Sequence, residues 1–222
     1  MENELVKYLS SFVSKERIER IEEVLKNRTR YITIVLEDIY QPHNASAVLR
    51  SCECFGIQDV HIIEKRNNFT ISDGVAIGSD KWLNLYKYNN SIEVIKKLRN
   101  EGYRIIATTV NQKSEMLPDF DLKKGKSAFF FGTELTGLTE EIIHNADEFI
   151  TIPMFGFTKS FNISVSVAII LSNLSIKLRT SEIAWQLNDY EIDKLKCLWL
   201  KNSISNSDIL IREYYKRISK VI

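Results

Sequence analysis

Three short stretches of this sequence concentrate the side chains suited to holding a small ligand beside an anionic acceptor. The first is Gln41-Pro42-His43-Asn44-Ala45-Ser46-Ala47-Val48-Leu49-Arg50. Its proline stops the preceding segment, Asn44 suits a helix N-cap, and Ala45 to Ala47 are small enough for a ligand or another backbone to approach. Arg50 then falls near the second turn of that helix. A guanidinium facing the strand ends there clamps a phosphate through paired hydrogen bonds. From this stretch alone an exposed arginine paired with a carboxylate is the favoured reading, with the phosphate clamp as its alternative.

The second stretch, Gly132-Thr133-Glu134-Leu135-Thr136-Gly137-Leu138-Thr139, separates two glycines by four residues as a phosphate loop does. Leu138 occupies the place of the required lysine, and G-x-G-x-x-G occurs nowhere, so neither ATP hydrolysis nor a nicotinamide dinucleotide is supported. A cofactor without phosphates fits, and so does a plain turn before a helix capped by Thr139. The third stretch runs from Ile152-Pro153-Met154 through Phe155-Gly156-Phe157-Thr158-Lys159 to Ser160-Phe161-Asn162-Ile163-Ser164. It places an apolar loop before a helix that opens with polar residues. Ser160, Asn162 and Ser164 suit either N-terminal capping or hydrogen bonds to an adenosine and a reacting hydroxyl.

Other reactive side chains point to nothing comparable. His43, His61 and His144 form neither a metal-ligand nor a triad pattern and read as structural. Cys52, Cys54 and Cys197 include no C-x-x-C pair, which leaves no support for a disulfide framework or a structural zinc site.

The elements that must position these loops are legible in the hydrophobic pattern. Apolar runs at Ile32 to Leu36, Val60 to Ile63, Tyr103 to Thr108, Ala128 to Phe131 and Phe149 to Ile152 read as strands. Amphipathic segments at Asn44 to Phe55, Ile92 to Asn100, Thr139 to Asn145 and Ile163 to Leu178 read as helices. The alternation predicts an α/β fold, a mostly parallel sheet with helices on both faces. Ligands of such sheets sit beyond the carboxyl ends of the strands, which is where all three stretches fall. Residues 1–30 and 179–222 read as helical extensions flanking a core at 31–178. Trp185, Leu187, Leu195, Leu198 and Trp199 make the second flank apolar enough to dock on a core or a second subunit.

With 222 residues and a net charge of +1, the chain carries no broad basic face in its totals. Residues 31–176 are net −3 and residues 1–30 with 177–222 together +4, so contact with a polyanion is expected to be local. The apolar runs are shorter than a membrane span and the start does not resemble a signal peptide, which points to a cytoplasmic protein.

Taken in order, the three stretches P-H-N-x-S-A-x-L-R, F-G-T-E-x-x-G-L and I-P-M-x-G-x-x-x-S-F-N-x-S-V resemble the signature motifs of the SpoU family, the ribose 2′-O-methyltransferases of the SPOUT superfamily. The resemblance covers about residues 31–178. It implies a deep trefoil knot in the C-terminal part of the core, an exception to the rule of unknotted chains. It also implies S-adenosylmethionine bound there by Thr108, Thr109, Gly132, Ile152, Met154 and Phe161. Asn44, Arg50, Glu134, Ser160 and Asn162 match the family's functional positions. The same resemblance implies a homodimer with the active site completed at the interface, and the likeness of the flanks and overall length to the family's transfer RNA enzymes implies transfer RNA as substrate, methylated at a D-loop guanosine. A ribosomal RNA enzyme of the same chemistry and a non-catalytic RNA-binding protein are the rivals.

Overall fold

The computed structural model describes residues 2–110, 114–133 and 135–218. In chain order the helices are α1 (Glu2–Ser10), α2 (Lys15–Leu25), α3 (Pro42–Cys54), α4 (Asp73–Ala76), α5 (Ser91–Asn100), α6 (Glu140–Asn145), α7 (Ile163–Arg179), α8 (Asp189–Ser203) and α9 (Ser207–Ile218). The strands are β1 (Ile32–Glu37), β2 (Asp59–Ile63), β3 (Asn84–Tyr88), β4 (Arg104–Thr108), β5 (Glu115–Met116), β6 (Ser127–Phe131) and β7 (Glu148–Thr151). Two compact units result: residues 29–185 form one, and residues 1–28 with 186–222 the other.

In the larger unit the seven strands make one sheet in the order β3-β2-β1-β6-β4-β7-β5, with every pairing parallel. The central strands β1, β2 and β6 are buried along their whole length, as strands covered on both faces must be, and that is why they read as unbroken apolar runs. Alternate residues serve opposite faces. Ile32, Ile34 and Leu36 of β1, with Phe129 and Phe131 of β6, pack under α3 and α7 through Val48, Leu49, Val167, Ile170 and Leu174. Val35, Ile105, Ala128 and Phe130 turn the other way, against Val94, Ile95 and Leu98 of α5 and Ile142 of α6.

Three details differ from the sequence reading. First, β3 was not expected: Asn84-Leu85-Tyr86-Lys87-Tyr88 lies at a sheet edge, half-buried, and its lysine and asparagine mask the strand signal in the way that protects edges. Second, β5 is two residues long and carries no periodicity. Third, Asn44 is not the N-cap of α3. Pro42 begins the helix, because its fixed φ suits the first helical position, and Gln41 is the cap residue without a side-chain capping bond. Asn44 therefore sits inside the first turn, where its side-chain amide donates to Gln41 Oε1 instead of capping the helix.

The smaller unit collects both sequence flanks. Leu5, Leu9, Ile21 and Leu25 are buried where α1 and α2 pack on α8, which contributes Leu195, Trp199 and Leu200. Helix α8 starts at a reciprocal capping box in which Asn188 accepts from the Glu191 amide and Glu191 from the Asn188 amide. The Arg28 guanidinium lies 5.0 Å from the Trp199 ring centroid.

Of the three histidines, His61 has the informative surroundings. It is buried in β2, its Nδ1 lies 3.1 Å from the Tyr88 hydroxyl, and its ring stacks on Tyr86. Burial, reinforced by the Lys97 cation, holds its pKa at about 3. Because the unfolded histidine titrates near 6.5, the unfolded state takes up more protons below that pH, so this contribution to stability is complete at neutral pH and declines as pH falls towards 3. Between pH 7 and pH 5 the expected loss is about 2 kcal/mol. Urea unfolding at the two pH values checks this; His61→Leu should remove that part of the difference whatever its own stability.

Candidate active site

The loops after β4, β6 and β7 converge on one cavity of about 430 Å³, a volume within the usual range for small-molecule sites. Thr108 and Thr109 reach it from the end of β4, Gly132 from the end of β6, Ile152 and Met154 from the segment after β7, and Phe161 from just before α7. These are the six residues expected to hold the cofactor, and the fold brings all of them around the same space. Ser160 and Lys159 line it as well. The cavity wall is made of hydroxyls, backbone and apolar side chains, and Lys159 is the one charged side chain among the described lining residues. Such a lining offers hydroxyl and backbone hydrogen bonds together with apolar contact, which suits a nucleoside.

Local hydrogen bonds fix each wall. The Thr108 hydroxyl donates to the Phe130 carbonyl at 2.7 Å, and the Thr109 amide to the Ile150 carbonyl at 3.0 Å, so the β4 loop is tied to both neighbouring strands. Thr133 and Gly137 exchange backbone bonds of 3.2 and 3.0 Å, closing the Gly132–Thr139 segment into a tight loop. Gly137 holds φ at +69°, a left-handed conformation natural to glycine. Gly132 is required for a different reason: a Cβ there would stand 2.1 Å from the Gly137 carbonyl carbon and oxygen. The two glycines thus serve a tight turn with close backbone packing.

The first and third motifs meet through their asparagines. Asn162 is the N-cap of α7, its Oδ1 accepting from the Ser164 amide at 2.8 Å and hydroxyl at 2.7 Å, while its Nδ2 donates to Asn44 Oδ1 at 3.1 Å. Asn44 in turn donates to Gln41 Oε1 at 3.0 Å and is buried. Capping and cross-linking are thus combined in one side chain. Glu134 lies outside the described residues. Arg50 is exposed on α3 and is not among the described residues that line the cavity. It adjoins Ser51 and lies one helical turn from Ala47, and both border a second hollow of about 770 Å³ between α3 and α7.

That hollow is largely apolar, lined by Ala47, Phe55, Leu117, Val165, Ile169 and Ile176 among others. Val165 and Ile176 are exposed, and the Asn173 Oδ1 atom is buried with no hydrogen-bond partner among the described residues. Phe155 and Phe157, which lie in sequence between the lining residues Met154 and Lys159, are fully exposed. The sequence reading gave no role to Phe157 or to Glu37, whose buried carboxylate receives the Thr139 amide and hydroxyl. A lone glutamate ending an apolar strand run was the available signal. Among the described residues no cluster of metal-ligating side chains occurs, and no helix is long and apolar enough to cross a membrane.

Comparison with known proteins sharpens this picture. The sequence model of the SpoU rRNA Methylase family matches residues 31–172. A protein of Borreliella burgdorferi named tRNA (guanosine(18)-2′-O)-methyltransferase is 46% identical over 198 residues, 89% of this chain and 90% of that protein. The Escherichia coli protein of the same name is 30% identical, covering 70% of this chain and 67% of its own. Among solved structures, the Aquifex aeolicus TrmH/SpoU tRNA modifying enzyme superposes with a TM-score of 0.78 at 27% identity, over 86% of this chain and 98% of that one. The Streptomyces viridochromogenes methyltransferase AviRb, solved with AdoMet, shares the fold at a TM-score of 0.62 and 17% identity, over 72% of this chain and 65% of its own.

Proposed function

Since this chain belongs to the SpoU rRNA methylase family, we propose that it transfers a methyl group from S-adenosylmethionine to the ribose 2′-hydroxyl of a guanosine in the D-loop of transfer RNA. The observation that carries the chemistry is the convergence of the second and third motifs on one cavity, with the first motif tied to the third through the Asn44–Asn162 hydrogen bond. What supports transfer RNA over ribosomal RNA is the extent of the likeness to the Borreliella protein, which runs past the family core into the helical flanks. RNA identity is read by such accessory surfaces, since the core chemistry is common to all acceptors.

Bound in the cavity, S-adenosylmethionine supplies an electrophilic methyl group on a sulfonium. The chain's own residues supply position. A ribose hydroxyl is a weak nucleophile, so most of the rate comes from holding it in line and at close range. Asn44 and Asn162 fix the entrance to α7, and with it Ser160, at the place where the acceptor meets the cavity. Arg50 acts as a phosphate clamp and electrostatic activator, with the hydroxyl proton passing to that phosphate or to water. Glu134 is assigned to orienting Arg50 or Asn44. Phe155 and Phe157 offer faces on which an unpaired base stacks, and Lys159 offers a cation beside them.

Two copies of the chain form the working unit in this reading, with the active site completed at their interface. Its support is the apolar hollow between α3 and α7, the unsatisfied Asn173 oxygen within it, and the place of Arg50 at its border rather than in the cavity of its own chain. The trefoil knot implied by the family resemblance belongs to the same reading, as does a cytoplasmic setting. The test is transfer of labelled methyl to unmodified transfer RNA, with a ribosomal RNA fragment as competing acceptor. Incorporation into transfer RNA alone is expected; incorporation into the ribosomal fragment alone overturns the substrate assignment.

A further inference from the structure

Glu37, at the carboxyl end of β1, is 1% exposed, yet its carboxylate is fully engaged. Oε2 accepts from the Thr139 amide at 2.9 Å, and Oε1 accepts from the Thr139 hydroxyl at 2.7 Å and the Ser91 hydroxyl at 3.2 Å. The Lys65 ammonium stands 3.5 Å from Oε1 and also bonds Glu141 at 2.8 Å, which supplies the countercharge that a buried carboxylate needs. Thr139 precedes α6 as its cap residue but makes no side-chain capping bond of its own, because its hydroxyl is turned to Glu37.

Register explains why this pairing matters. Leu36 of β1 lies opposite Phe131 of β6, so the chain passes into the Gly132–Thr139 loop beside Glu37. After forming one wall of the cavity through Gly132, Thr133, Thr136, Gly137 and Leu138, the loop returns to the same carboxylate at Thr139. Both feet of the loop therefore stand at the end of β1, and only the second is held by side-chain chemistry. A loop pinned at both ends has few alternative conformations to lose when a ligand binds.

Resting on the function proposed above, we propose that Glu37 is a positioning residue for S-adenosylmethionine, acting through Thr139 to hold the cofactor wall in its binding conformation. Glu37→Ala leaves the Thr139 amide without its charged acceptor and should weaken cofactor binding about tenfold. Glu37→Gln keeps an oxygen for the amide and a donor for the Thr139 hydroxyl, and should restore affinity to within about threefold of the parent. Thr139→Val, which removes one of the two bonds and adds no charge, should fall between them and serves if Glu37→Ala does not fold.

The experiment pairs calorimetric titration with S-adenosylmethionine and hydrogen exchange measured without it. Faster exchange of the Thr139 amide in Glu37→Ala, with the β1 amides still protected, is the expected companion of the weaker binding. Full affinity in Glu37→Ala, or unchanged Thr139 exchange, overturns the inference alone. Failure of the parent protein to bind S-adenosylmethionine overturns the reading of the cavity and this inference with it.

Discussion

Arg50→Ala should reduce methyl transfer by about two to three orders of magnitude while leaving the affinity for S-adenosylmethionine within about twofold of the parent. The split follows from position. Arg50 is exposed on α3, apart from the described residues around the cavity, so its loss removes nothing from the cofactor's wall. What it removes is a permanent cation at the acceptor side. A guanidinium presents a planar fork of donors and no acceptor, so its contribution is electrostatic and geometric rather than proton transfer. Arg50→Lys keeps the charge but loses the paired donors, and should recover only part of the rate. Steady-state kinetics on transfer RNA together with calorimetry on the cofactor measure both halves; a parallel loss of cofactor affinity would place Arg50 in the cavity wall and contradict the assignment.

Gly132→Ala should abolish useful cofactor binding, with a loss of about two orders of magnitude in affinity and a stability cost of about 1–3 kcal/mol or more. The added methyl would lie 2.1 Å from the Gly137 carbonyl carbon and oxygen and 2.3 Å from the Leu138 nitrogen. Each of these is backbone, so no side-chain rotation relieves the clash, and the loop that walls the cavity must move. Strain in φ is not the cause, since Gly132 is outside the left-handed region that Gly137 occupies. Gly156→Ala is the internal comparison: a Cβ there meets nothing within 4 Å, so this glycine of the third motif should tolerate the change. Thermal unfolding and cofactor titration of the two variants separate them, and equal behaviour would show that the close passage at Gly132 is not needed.

How much of this was legible in the sequence depends on the range of the interaction involved. Period-2 and period-3.6 patterns are local, and they located the five inner strands and the four main helices of the core because β1, β2 and β6 are buried on both faces. Edge strand β3 escaped, since solvent on one side admits Lys87 and Asn84 into the run. The family resemblance implied Thr108, Gly132, Met154 and Phe161, which the fold gathers around one cavity. The start of α3 was misplaced by the preference for asparagine as a cap; proline at the first position decided it. Two contacts were beyond any local pattern: Asn44 with Asn162, separated by 118 positions, and Glu37 with Thr139, separated by 102. Such pairings are created by strand order, and strand order is not written in hydrophobic period.

The central claim, methyl transfer to a D-loop ribose, is tested most directly by locating the product. Unmodified transfer RNA is incubated with the protein and labelled S-adenosylmethionine, digested with nuclease, and the methylated fragment sequenced by mass spectrometry, with a second transcript carrying a 2′-deoxy sugar at the D-loop guanosine. The account predicts a single 2′-O-methylguanosine in the D-loop, absent from the deoxy transcript. Methyl on a base, or at a ribose outside the D-loop, would contradict it.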